Sequence, residues 1–320
     1  MINPIWASPI TRWFWAAAAG EGRSLSLIAS CGSVLRATIS TSWSLGSIPD
    51  LERPVRHYVG FNNNLRPVEI HLVGCGGTGS ALAVRLAQIN TALISLGHPG
   101  MKVTVYDPDL VSEANIGRQM FYAADIGHPK ASVLVTRINQ CAGFSWEAAP
   151  MRYSPRGGRS PNLVISAVDT GKARVEIAEV IRKGTACSNW LDCGNSRSQG
   201  QVVFGTVRGV EQPKIKDVIG RLPTVIDLYP EIRDPAREWD QGPSCSLAEA
   251  IEHQDLFINQ FVAIEAAEML WKAFRYGFLE YSAAYVSLTP RSTSVLPIDP
   301  KAWERFGYRT LRRRKRRAAD

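Results

Sequence analysis

The stretch "VGCGGTGSAL", Val73–Leu82, sets four glycines, Gly74, Gly76, Gly77 and Gly79, directly behind an apolar run. Read as a turn from a strand into a helix, it fits the pattern G-x-G-x-x-G. There the first glycine permits the turn, the second lets backbone N–H groups approach a phosphate, and the third lets helix pack on strand. The helix that follows adds partial positive charge at its N-terminus. The motif alone does not separate users of NAD, FAD and ATP. No Walker sequence G-x-x-x-x-G-K-[ST] occurs, which argues against a P-loop NTPase.

Outward from this turn the chain alternates. "VEIHLVG" (Val68–Gly74) predicts a buried strand, and Gly77–Leu96 a helix with Leu82, Leu86 and Ile89 on one face. Lys102–Asp107 reads as a strand, Ile126–Cys141 as a helix with Pro129 in its first turn, and Phe144–Tyr153 and Asn162–Asp169 as strands. Lys172–Lys183 is a predicted helix and Ala186–Gly194 a further strand. The order predicts an α/β, Rossmann-like, mostly parallel sheet with helices on both faces. After Gly200 the pattern shifts to antiparallel C-terminal strands. Gln201–Gly209 reads as one of them, and Tyr281–Pro290 with Arg291–Ile298 as a hairpin. A long loop is expected over 210–244 and a long helix over Ser246–Tyr276.

The chain has 320 residues, 45% of them apolar, and a net charge of +8. "RRRKRR" (Arg312–Arg317) supplies six positive charges, so the body is near balance. Residues 309–320 therefore read as a basic disordered tail, the one segment with any claim on nucleic acid. Six cysteines (Cys31, Cys75, Cys141, Cys187, Cys193, Cys245) form no C-x-x-C pair, so zinc is not indicated, and their lack of pattern suits a cytoplasmic protein. No run is long and apolar enough for a membrane span. Residues 1–56, with four of the nine tryptophans, read as a poorly ordered extension ahead of one domain over 57–308.

The chemistry lies after the second strand. Asp107 ends that strand, where an acid accepts hydrogen bonds from ribose hydroxyls. "DPDLVSEANIGRQMF" (Asp107–Phe121) and "GHPKA" (Gly127–Ala131) then set Asp109, Asn115, Arg118, Gln119 and Lys130 close to the phosphate turn in sequence. Hydride transfer needs no cations over an α-phosphate. Expulsion of pyrophosphate does, because negative charge builds on the leaving group.

This set resembles the ThiF/MoeB/ubiquitin-activating enzyme superfamily: G-x-G-G-x-G, D-x-D-x-V, N-x-x-R-Q, G-x-P-K, and Asp169 with Arg174 after the fourth strand, over about Val68–Gly200. The resemblance implies adenylation of the C-terminal carboxylate of a small ubiquitin-like protein, with ATP and Mg²⁺. It assigns the glycine loop and Asp107 to the nucleotide, Arg118 and Lys130 to the phosphates, and Asp169 to Mg²⁺. Two departures stand out. The zinc-binding cysteine pairs of some members are missing, and Asp169-Thr170 replaces the usual D-N. Arg53, Arg56 and Arg66 are the candidates for the arginine that many members supply across a dimer interface.

In "GPSCSLAEAIEHQD" (Gly242–Asp255), Ser246-x-x-Glu249 reads as a capping box, which puts Cys245 at a helix N-terminus where the dipole favours thiolate. The segment also resembles the P-x-C-[TS]-L that carries a thioester cysteine in ubiquitin-activating enzymes. Gly242–Gln260, Ala283–Pro300 and Trp303–Tyr308 further resemble the ThiF-related family of the bacterial PRTRC cassette. That likeness implies a ubiquitin-like protein ending in glycine and a conjugating-type partner; relatives commonly form homodimers. The alternatives are an NAD- or FAD-dependent oxidoreductase and a non-catalytic nucleotide-binding scaffold.

Overall fold

A short strand, β1 (His57–Tyr58), precedes the one that feeds the glycines, β2 (Val68–Val73). Then come α1 (Gly77–Ser95), β3 (Met101–Tyr106), α2 (Lys130–Ala142), β4 (Glu147–Ala149), β5 (Leu163–Ser166), α3 (Gly171–Lys183), β6 (Asn189–Asn195) and β7 (Gln199–Thr206). A four-residue α4 (Val225–Leu228), α5 (Ile258–Tyr276), β8 (Phe278–Leu279), β9 (Tyr281–Leu288), β10 (Arg291–Pro297) and α6 (Pro300–Trp303) complete the elements. This computed structural model describes residues 54–61, 66–155, 160–184, 187–234 and 254–309. All lie in a compact unit spanning Glu52–Asp320.

Eight strands form one sheet in the order β10-β9-β7-β6-β5-β2-β3-β4. From β6 to β4 every neighbouring pair is parallel, and β7, β9 and β10 run antiparallel. The expected α/β sheet with antiparallel C-terminal strands is therefore present. Parallel connections are right-handed. The path β2-α1-β3-α2-β4 advances toward one edge and β5-α3-β6 toward the other, so α1 and α2 cover one face and α3 the opposite face. The strands between are dry: Ile70, Leu72, Val103, Val105, Leu163, Ile165 and Leu191 are fully buried. Burial on both faces is why they read as unbroken apolar runs. On α1, Leu82, Leu86, Ile89 and Leu93 recur at helical spacing and are all buried. Gly143, at φ 70°, ends α2, and the Thr170 hydroxyl caps α3 by accepting from the Ala173 N–H at 3.2 Å.

Three expectations are corrected. The helix expected over Ser246–Tyr276 begins, among the described residues, at Ile258. The Asp255 carboxylate accepts from the Phe257 N–H at 3.0 Å, a local bond that holds a turn where helix was expected. The capping box and Cys245 lie outside the described residues. The loop expected over 210–244 is, as far as residue 234, irregular apart from two short helical turns, yet packed: Leu222, Val225, Ile226 and Leu228 are core residues. Thr206 fixes it, taking the Leu222 carbonyl with its N–H and the Leu222 N–H with its hydroxyl. Interruption by prolines hid this apolar set from any periodic reading. The boundary expected after residue 56 also falls earlier. Arg56 pairs with Glu280 at 3.1 Å and lies over the Phe278 ring, so it is engaged within its own chain. Arg53 and the tail from 310 lie outside the described residues.

Candidate functional site

The strand order reverses between β2 and β5, and ligands of such sheets bind beyond the carboxyl ends of the strands at that point. The glycine turn leaves β2 there, beside Ala167–Asp169 leaving β5. The four glycines answer to four different neighbours. Gly74 has φ +94°, and a Cβ on it would strike the Ala167 backbone. A Cβ on Gly79 would strike the Gly74 carbonyl. On Gly77 it would sit 2.5 Å from Cγ of Asn259 at the start of α5. On Gly76 it would meet nothing within 4 Å. Three glycines thus serve the protein's own packing, and the space over Gly76 is open for a ligand.

Two hydrogen-bonded chains reach this turn, each ending in a cation. In the first, Asp107 Oδ2 accepts from the Cys75 N–H (2.5 Å) and Oδ1 from the Asp109 N–H (2.8 Å); Asp109 in turn pairs with Lys130 Nζ (3.0 Å). Burial pushes the Asp107 carboxyl above its ordinary range, opposed by those two backbone bonds and by Lys130. The Lys130 side chain is 8% exposed, whereas that of Asp109 is 63% exposed. The cation is therefore anchored inside and its partner lies in solvent. In the second chain, Thr78 Oγ1 donates to Asn259 Oδ1 (3.0 Å), Asn259 Nδ2 to Gln254 Oε1 (2.9 Å), and Arg118 Nη1 to the same Gln254 oxygen (3.0 Å). Burial lowers the pKa of Arg118.

Asn115 turns inward: its Oδ1 accepts from the Ser112 N–H at 2.9 Å and closes its own turn. The Gln119 N–H donates to the Asn115 carbonyl. Among the described residues, Gln119 Oε1 and Arg118 Nε are buried without a hydrogen-bond partner. Such atoms ask for one. Asp169 is exposed on the turn after β5 and is a member of neither chain. Among the described residues no three His, Cys, Asp or Glu side chains gather as a metal site. A lone carboxylate beside a phosphate turn still fits Mg²⁺, which is held by one or two carboxylates plus substrate phosphates.

Beneath the Asp169 turn lies a buried network that the sequence reading missed. Arg174 Nε donates to both Asp192 oxygens (3.1 and 3.0 Å), Nη1 to the Thr170 carbonyl and Nη2 to the Cys193 carbonyl. Ser166 Oγ donates to Asp192 and accepts from Trp190 Nε1. Asp192, Gln254 and Asn259 had no role assigned from the sequence; Gln254 meets Arg118 from 136 positions away, and Asn259 meets Thr78 from 181. Cys187 and Cys193 are buried in the core, and burial pushes the Cys187 thiol up to about 12. Cys75 is buried within the glycine turn, its thiol raised by the same cause.

A family model described as the ThiF family matches residues 56–287. A comparison with curated proteins finds no match. Among solved structures, selenomethionine PaaA is similar at 15% identity and TM-score 0.48, covering 72% of this chain and 64% of that one. E. coli MccB is similar at 13% identity and TM-score 0.48, covering 73% and 63%. The chain thus spans a little under two thirds of the solved structures it matches.

Proposed function

This chain belongs to the ThiF family, and we propose that it activates the C-terminal carboxylate of a small ubiquitin-like protein with ATP. One observation carries the reading: two cations, Lys130 and Arg118, are tied by separate hydrogen-bonded chains to one phosphate-type turn whose ligand space is open at Gly76. A nicotinamide or flavin site needs no such pair.

In this reading a carboxylate oxygen of the partner attacks the α-phosphorus. An O–P bond forms, the α–β phosphoanhydride bond breaks, and pyrophosphate leaves with the electron pair. Lys130 and Arg118 stabilise the charge that collects on the leaving group. The N–H groups of the turn face the phosphates, and Asp107, with lone pairs to spare, accepts from the ribose. Asn115 shapes the Arg118-bearing turn, Gln119 offers its orphan Oε1, and Asp109 steadies Lys130. Asp169 is the residue for Mg²⁺, which when bound offsets phosphate charge. Cys245 then takes the acyl group as a thioester: its thiolate attacks the acyl carbon and AMP leaves. The conjugating-type partner, the homodimer and a cytoplasmic setting belong to the same reading; no described helix is long and apolar enough to cross a membrane.

The test is exchange of labelled pyrophosphate into ATP, with the partner present. Exchange should require the partner's free C-terminal carboxylate. No exchange with an authentic partner sinks the reading. Cys245→Ser should keep exchange and abolish the thioester; a surviving thioester would place it on another residue.

A further inference from the structure

Gln254 and Asn259 lie outside every nucleotide motif of the chain, yet they join the glycine turn to Arg118. Asn259 is 3% exposed, and both its amide oxygen and its amide nitrogen are hydrogen-bonded. Its Oδ1 accepts from Thr78 Oγ1 (3.0 Å) and from Asn195 Nδ2 (3.3 Å), and its Nδ2 donates to Gln254 Oε1 (2.9 Å). The missing side chain of Gly77 is what lets this amide sit on the turn. Two donors, Asn259 Nδ2 and Arg118 Nη1, converge on Gln254 Oε1. That convergence fixes which way the Gln254 amide faces, because a flipped amide would set N–H against N–H.

Gln254 is also a revealing residue type. A glutamate of the same length would satisfy both donors and bind the guanidinium more strongly, as an ion pair. It would also cancel the charge that a phosphate needs. The amide orients without neutralising, and Arg118 Nε is left buried and unpartnered. Lys130 is held differently, by a carboxylate that sits largely in solvent, where its field is screened.

We propose that Gln254, fixed by Asn259, is a positioning residue that aims Arg118 at the nucleotide phosphates while preserving its charge. The inference rests on the ATP reading above and names a group that acts through Arg118.

The test is titration calorimetry of Mg-ATP with the full-length chain, paired with the melting temperature of the nucleotide-free protein. Gln254→Glu should raise the ATP Kd about tenfold or more without lowering the melting temperature. Gln254→Met, which keeps length but removes the acceptor, should raise it by about threefold. In an Arg118→Ala background, Gln254→Glu should add little, because the two residues act as one unit. A merely structural glutamine predicts either unchanged ATP affinity in Gln254→Glu or a loss that recurs in full in the Arg118→Ala background, and either result overturns the proposal. Wild-type protein that binds ATP but supports no exchange overturns adenylation and leaves this proposal standing. Absence of ATP binding by the wild type overturns both.

Discussion

The two chains that meet at the glycine turn solve one problem in different ways. The lysine chain is ionic and local, running from Cys75 through Asp107 and Asp109 to Lys130. The arginine chain is built of neutral amides and spans the molecule, its bonds joining residues 136 and 181 positions apart. An ionic holder is strong but competes with the ligand for the same charge. An amide holder is weaker and leaves the charge free. In the proposed reaction, binding a polyanion and then releasing pyrophosphate gives a use for one of each.

The largest effects should come from deleting either cation. Arg118→Ala and Lys130→Ala are each expected to lower the pyrophosphate exchange rate by about 10²–10³, the usual cost of one such donor. The melting temperature should change little, and an equal loss of both would make the residue structural.

Next come the glycines, which separate packing from binding. Gly79→Ala forces a Cβ onto the Gly74 carbonyl and should cost about 1–3 kcal/mol of stability in denaturant unfolding. Gly76 has φ −74° and open space, so Gly76→Ala should unfold within about 0.5 kcal/mol of wild type yet weaken ATP binding in calorimetry. Unchanged ATP affinity in Gly76→Ala would place the ligand elsewhere.

The strand beneath both chains offers a pH test. Burial lowers the pKa of His71, on β2, from 6.5 to about 4. The unfolded chain then takes a proton that the fold refuses, so stability falls as pH drops from about 6.5 toward about 4. His71→Gln should flatten that part of a melting-temperature profile; an unaltered slope would assign it to other groups.

The smallest effect is expected at Asp109. Its carboxylate is 63% exposed, so Asp109→Asn should change unfolding stability by at most about 1 kcal/mol. If ATP affinity moves as far as in Gln254→Glu, the contrast between the two holders is wrong.

The same contrast explains what the sequence could reveal. The parallel half was legible because dry strands are continuous apolar runs and glycines mark where they end. Asp107 and Asp109 were legible as charges just beyond a strand end, and Lys130 through the G-x-P-K pattern at the start of α2. Gln254 and Asn259 were not: a neutral amide near a helix start looks like any surface residue, and only folding brings it to Arg118. Asp192 was masked by the apolar strand around it, although its partner Arg174 was visible. The start of α5 was misplaced because Ser246 and Glu249 carry a capping pattern, while the turn that precedes the described helix is made by Asp255, three residues before Ile258.

The most direct measurement is a crystal structure of the protein soaked with the non-cleavable analogue α,β-methylene ATP and Mg²⁺. Phosphates are expected over Gly76, flanked by Arg118 and Lys130, with the ribose on Asp107. A nucleotide bound away from Gly76, or phosphates touching neither cation, would contradict it.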